Sequence, residues 1–529
     1  MGGVAVLMPA TLFTKVIGLF YKIPLIAIVG VEGMAYFLAA YHLYSLLFVI
    51  SATGLPTALS LQIARAVASA QSRSVGRIFR ASLLLFLSLG LLGTLGLLLG
   101  ASCLAERLAM RDAAAAIVAI SPALLLSAFI GAAKGYFQGH QRMLPTALSE
   151  VLEASGKLGF GLCFALIAKS RGADTPRVAA AAILGITAGL ALAALLLAVW
   201  LIYHTALHRP CDAQSCSMPK RGKVLAELLR VALPITVSAS VMSVVSLIDT
   251  ALISSRLQKI GFAPGVANAM YSSYGNLAVP LYNLVPSLLS PITLALMPLL
   301  GGALSRRDLG GGRSAFKTAF RISALLSIPA ALGLAVFSRP ILSLIYHGQS
   351  EAIAVAAPAL SLLALAVVPA VMIALVGAAL QAMGHTLLPV VAMSVGALIK
   401  LAIEFSLLSV PDVYIYAAPI STVLCNLAVL LIEGIALARV FDLGFLRAGD
   451  LFRPLLAAVL SVGAGGGAYF ALRALLGECL WQMPLVLLLA ALLFLPFALC
   501  LGALGREELM ALPLGDRLCR LLERCKLLK

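Results

Sequence analysis

The residues of this chain whose types and spacing can do chemistry are the few charged side chains set inside long apolar runs. Lys15 and Lys22 stand seven positions apart in the first run, two helical turns apart and nearly on one face. A charge at bilayer depth costs about 2.5–3.5 kcal/mol on insertion scales, so each such residue is a candidate for function. Two ammonium groups with no acid in their own helix suit an anionic ligand; the other reading of Lys22 is that it snorkels to the interface. Glu150, Glu153 and Lys157 follow at i, i+3 and i+7, and Glu153 to Lys157 is the ion-pair order that a helix favours. Lys400 and Glu404 repeat an i,i+4 pair far down the chain. These pairs either shape a charged path or tie helices together. Asp249, in Ser246-Leu-Ile-Asp249-Thr, is a candidate cation or proton site or else a helix anchor. His42 and Asn276, with Tyr41, Tyr44, Tyr271, Tyr274, Tyr282 and Asn283, offer rings and hydrogen-bonding groups suited to sugars and phosphates, or to anchoring at an interface.

The elements that carry these residues follow from composition. Over 529 residues the chain is 62% hydrophobic and 11% charged, with a mean hydropathy of +1.07. Ordinary soluble chains carry roughly a quarter charged residues, so the solvent for most of this chain is lipid. Lipid offers the backbone no hydrogen-bond partner, which leaves helices of about 20 apolar residues as the spanning unit. Apolar runs near 4–29, 36–61, 81–104, 113–133, 149–168, 178–203, 225–253, 271–300, 322–346, 352–381, 386–408, 413–438, 454–476 and 481–504 give about fourteen transmembrane helices in an all-α polytopic membrane protein. The tenth run is interrupted by Pro358 and Pro369.

The net charge of +17 is a topology signal. With the N-terminus inside, the even-numbered connections and the tail hold 24 Lys and Arg, against 8 in the opposite loops. Basic loops stay cytoplasmic, so both termini are expected inside, as an even helix count requires. The chain also repeats itself. Gly139-His-Gln-Arg-Met-Leu-Pro145 and Lys157 return as Gly384-His-Thr-Leu-Leu-Pro389 and Lys400, at offsets of 244 for the proline and 243 for the lysine. Six helices recurring in the same orientation form two parallel six-helix lobes, an architecture of transporters. The expected organisation is an N-lobe at 1–203, a cytoplasmic linker at 204–224, a C-lobe at 225–440, two accessory helices within 441–504 and an amphipathic tail on the inner surface at 505–529.

Several classes are excluded by what the chain lacks. It has no phosphate-binding loop, Ser-His-Asp set or zinc-protease motif, so no catalytic residue is expected and the protein is read as a non-enzyme. The nine cysteines are scattered and His42, His140 and His385 are isolated, so neither a metal site nor a cofactor is expected. No basic domain with stacking aromatics points to nucleic acid.

The opening Thr14-Lys15-Val-Ile-Gly18-Leu-Phe-Tyr-Lys22-Ile-Pro, with Gly30-Val-Glu-Gly33-Met and Gly54-Leu-Pro56, resembles the stage V sporulation protein B group of polysaccharide exporters. These are relatives of the MurJ-type lipid II flippases and, more distantly, of the multidrug and toxin extrusion (MATE) carriers. Pro145-Thr-Ala-Leu-Ser-Glu-Val-Leu-Glu153-Ala-Ser-Gly-Lys157 is similar to that group's fifth helix. The resemblance implies a two-lobed carrier in the plasma membrane that moves a lipid-linked, anionic cell-wall saccharide by alternating access, with Lys15 and Lys22 as cavity bases. Membrane lipids and that saccharide are the expected partners, the expected state is a monomer, and the energy source is Na+, H+ or the membrane potential. His42, Phe48 and Asn276 stand where the MurJ-type pattern has an acid and further bases, which favours the sporulation branch or another lipid-linked saccharide over lipid II itself. The alternative is a cation-coupled drug exporter, which calls for an acidic, aromatic cavity.

Overall fold

The computed structural model describes residues 13–14, 17–18, 21–49, 54–68, 72–207, 221–410, 412–441, 444, 448–477 and 482–504. Among them every regular element is a helix and none is a strand. The long helices are α1 (residues 21–29), α2 (Val31–Val49), α3 (Leu55–Ala68), α4 (Ser72–Arg107), α5 (Ala114–Ile120), α6 (Pro122–Gly139), α7 (Leu144–Ser170), α8 (Thr175–Leu207), α9 (Arg221–Lys259) and α10 (Pro264–Ser272). After a π-helical stretch at Ser273–Ala278 come α11 (Val279–Ser305), α12 (Leu309–Val336), α13 (Ser338–Ile345), α14 (Ser350–Ala364), α15 (Val367–Ala382), α16 (Leu387–Leu407), α17 (Ala417–Val440), α18 (Gly449–Leu476) and α19 (Gln482–Cys500).

Among the described residues eleven helices are long and apolar enough to cross a membrane, or twelve when α14 and α15 count as one span bent by 44°. Fourteen were expected. Half of the first run lies outside the described residues. The second is divided between α2, whose polar content includes Glu32, His42 and three tyrosines, and α3, which carries Gln62 and Arg65. The bend in the tenth run falls at Leu365 and Ala366, between Pro358 and Pro369. Residues 208–220 of the linker and the tail from 505 onward lie outside the described residues.

The chain forms two compact units, Met1–Ser272 and Ser273–Lys529. Residues 225–272, expected with the second lobe, fall in the first unit, as do residues 221–224 of the linker. Gln62 Nε2 donates to the Val224 carbonyl at 3.2 Å, Arg65 pairs with Glu227 at 3.3 Å, and the Thr250 hydroxyl lies 2.8 Å from His42 Nδ1. Side chains on α2 and α3 thus satisfy polar groups of α9 that lipid could not.

Within the first unit, α7 and α8 approach closely through glycines. A Cβ on Gly156 would lie 2.8 Å from the Gly189 Cα, and one on Gly189 would lie 2.7 Å from the Lys157 amide nitrogen; a Cβ on Gly185 would overlap the Gly161 backbone. Apolar side chains gain nothing by leaving lipid for another helix, so close backbone packing of small residues is what joins helices in a membrane. This contact fixes the face of α7 that bears Glu153 and Lys157.

In the second unit Leu296, Leu300, Phe316, Leu375, Leu380, Leu437 and Phe441 form a core between α11, α12, α15 and α17. Asp308 caps α12 by accepting from the Gly311 amide at 2.8 Å. Helices α18 and α19 join through Ala457, Ala498 and Leu325. Between α12 and this pair lies an apolar cavity of about 390 Å³, lined among others by Val285, Leu334, Phe337, Leu487 and Phe494.

Candidate functional site

In the first unit α1 and α2 supply aromatic rings, and α6 and α7 supply charges. Lys157 Nζ lies 5.6 Å from the centre of the Tyr21 ring and 5.2 Å from that of Tyr41. A half-buried ammonium gains about 0.5–2 kcal/mol from such a ring face. The expected ion pair between Glu153 and Lys157 is not formed; the lysine lies instead over tyrosines from two other helices. Lys22, half-buried on α1, is close enough to Lys157 for the two charges to repel each other.

Next to this pair lies a polar cavity of about 420 Å³, walled by Phe48, Thr57, Ser127, Lys134, Gln138, Glu150 and Glu153 from α2, α3, α6 and α7. Lys134 Nζ pairs with Glu150 Oε1 at 3.4 Å, and the charged neighbours of Glu153 are Lys134, Lys157 and Glu150. Three bases (Lys22, Lys134, Lys157) and two acids therefore share one region inside helices that face lipid. Lys134, one of the bases counted with the cytoplasmic connections, lies within α6, one turn before Gln138 and facing the cavity. The i,i+4 spacing of Lys134 and Gln138 on an otherwise apolar helix was the available signal.

His42 is part of a hydrogen-bonded trio. Its Nδ1 lies 2.8 Å from the Thr250 hydroxyl and 3.3 Å from that of Tyr271, and the two hydroxyls are 2.8 Å apart. Asp249 is the residue before Thr250 on α9 and is half-buried. The trio joins α2, α9 and α10, and Thr250 had not been anticipated because a threonine in an apolar run gives no pattern.

In the second unit Lys400 Nζ and Glu404 Oε2 are 3.7 Å apart in the expected i,i+4 arrangement, and both are buried. Asn276 is fully buried in the π-helical stretch, and its carbonyl accepts from the Tyr346 hydroxyl at 3.3 Å. Tyr282 accepts from Asn426 Nδ2 at 2.9 Å. Glu433 is 1% exposed within α17, beside Gly377 and Pro389, and among the described residues neither of its carboxylate oxygens has a hydrogen-bond partner. Lys15 lies outside the described residues. No group of three His, Cys, Asp or Glu is placed to hold a metal ion among the described residues.

This helical arrangement is that of the MATE and MurJ group of multi-pass membrane transporters. A lipid II flippase MurJ in an inward closed conformation aligns over 93% of this chain and 98% of its own, with a TM-score of 0.69 at 15% identity. An inward-facing multidrug resistance MATE transporter aligns over 82% and 96%, with a TM-score of 0.67 at 16% identity. The chain belongs to the polysaccharide biosynthesis protein family, whose model matches residues 1–303, and a second model, MatE, matches residues 234–405. An uncharacterized membrane protein of Bacillus subtilis (strain 168), YabM, is 25% identical over 99% of this chain and 96% of its own length. Stage V sporulation protein B of the same organism is 25% identical over 66% of this chain and 67% of its own. Its lipid II flippase MurJ is 30% identical over 28% and 29%.

Proposed function

We propose that this protein is a flippase that carries a lipid-linked, phosphate-bearing cell-envelope saccharide across the plasma membrane by alternating access, with both termini in the cytoplasm. The observation that carries the reading is the lysine cluster of the first unit: Lys157 over two tyrosine rings, Lys22 beside it, and a polar cavity next to both. Lysine is a point-charge partner for phosphate, and tyrosine faces suit sugar rings. In this reading Lys15, Lys22 and Lys157 hold the phosphates and Glu153 limits their net charge. Lys400 and Glu404 do the same in the second unit, while His42 and Asn276 position neighbouring hydroxyls and Asp249 takes part in coupling to Na+, H+ or the membrane potential. The apolar cavity beside α18 and α19 offers a berth to the hydrocarbon chain. Names of relatives support the substrate class, since two are a sporulation protein and a lipid II flippase.

The test is flipping of fluorescent lipid II and of undecaprenyl-diphosphate sugars in proteoliposomes. Lys157→Gln is expected to slow transport by about 10- to 100-fold, the worth of one charged hydrogen bond, with Lys157→Arg keeping part of it. Transport unchanged in Lys157→Gln would reject the role. A second reading, export of cationic drugs, is favoured by the MatE match; it predicts ethidium efflux that Lys157→Gln leaves intact.

A further inference from the structure

A second charged cavity, of about 660 Å³, lies in the second unit at the ends of α12, α13, α18 and α19, and shares Phe337 with the apolar cavity described above. Arg339 enters it from the second position of α13, His347 from the turn after that helix, and Arg473 from the last turn of α18. Among the described residues that line it none is acidic. Its walls are held from both sides. Tyr469 packs edge-on against Phe337 with ring centres 6.4 Å apart, and Gln482 Nε2 donates to the Gly477 carbonyl at 2.7 Å, tying the end of α18 to the start of α19.

The rim is apolar and exposed. Phe470 is 68% exposed and Val336 55%, both on the cavity's edge, and in a membrane-spanning chain such side chains lie against lipid tails. A ligand that reaches the two arginines past that rim carries its own apolar tail. Guanidinium groups present a planar fork that matches phosphate oxygens, and a cavity whose described ionisable residues are Arg339, His347 and Arg473 favours net negative charge over a zwitterion.

We propose that this cavity binds the headgroup of an anionic phospholipid of the surrounding leaflet, with the lipid tails lying along Val336 and Phe470. The assignment does not depend on which saccharide the first unit carries. Glu478, in the connection after α18, lies outside the described residues, and Glu478→Gln tests whether its charge matters to the preference.

Native mass spectrometry of the delipidated full chain in neutral detergent, titrated with phosphatidylglycerol, phosphatidylcholine or inorganic pyrophosphate, tests it. One phosphatidylglycerol is expected to bind with a preference over phosphatidylcholine of about tenfold. Arg339→Gln/Arg473→Gln should reduce that ratio to about one, whereas Arg339→Lys/Arg473→Lys should keep most of it and Glu478→Gln should maintain or raise it. The ratio is measured within each preparation, so a lower folded fraction does not move it. Equal retention of the two lipids by the unaltered chain, an undiminished ratio in the glutamine variant, or a lysine variant as unselective as the glutamine one would overturn the proposal. Displacement of the bound lipid by pyrophosphate at equal concentration would mean a site for soluble anions, and would overturn the lipid assignment.

Discussion

Two ionisable groups within the helices, the half-buried Lys157 and the buried Glu433, have opposite surroundings. Lys157 lies between two tyrosine faces, near acids and another lysine, in a polar cavity region. Glu433 sits among packed apolar atoms with neither oxygen hydrogen-bonded among the described residues. A buried ionisable group without a partner costs stability, and an apolar residue of similar length removes that cost. Glu433→Met is therefore expected to raise the thermal midpoint in detergent at pH 8, by an amount worth about 1–3 kcal/mol. A fall in the midpoint would show that the carboxylate is paired after all. Transport measured on the same variant separates the two uses of such a group, because a residue kept for function shows a more stable but slower carrier. Spacing alone had singled out Lys157, since a base four residues after an acid in an apolar run is easily seen. It had mistaken the partner, because the rings of Tyr21 and Tyr41 reach the lysine from helices distant in sequence.

At the scale of elements the first unit depends on the contact between α7 and α8. Gly156, Gly161, Gly185 and Gly189 allow the two backbones to touch, and the backbone at Glu153 and Lys157 is itself part of the contact. Gly189→Leu is expected to destabilise by about 1–3 kcal/mol through overpacking, and to lower transport along with the folded fraction in a fluorescence-detected size-exclusion melt. An unaltered melt would show that the helices part more easily than this packing implies. The helix ends of the internal repeat show a related economy. The turn after α6 places Gln141 in the left-handed region at φ 58°, and the corresponding turn after α15 places Gly384 there at φ 90°. Glycine takes that conformation at no steric cost, so the second copy has the easier chemistry for the same turn. The repeat was legible because a turn followed by proline leaves a compact signature, which a uniformly apolar helix does not.

For the whole molecule, the charge bias of the connections predicts sidedness. A cysteine at Arg473 should react with an impermeant maleimide added outside intact cells, whereas one at Lys526 should react only after permeabilisation, when each is tested in a background without the native cysteines. Reversed labelling would turn the topology over, and with it the direction of transport. The same experiment places the anionic-lipid cavity in the outer leaflet. Composition and the length of the apolar runs were enough to establish a polytopic helical membrane protein, because lipid admits only helices and closed barrels and a barrel strand alternates over about ten residues. The periodicity of basic loops and the repeated Gly-His turn were enough to suggest orientation and two related halves. Tertiary structure alone decided where α9 and α10 pack, that Lys134 faces a cavity, that Thr250 joins His42 and Tyr271, and that Glu433 is buried without a hydrogen-bond partner among the described residues. The reason is physical: one-dimensional patterns report how each helix meets lipid, while the contacts that give a polar residue its role come from helices hundreds of positions apart, meeting on faces that look equally apolar in the sequence.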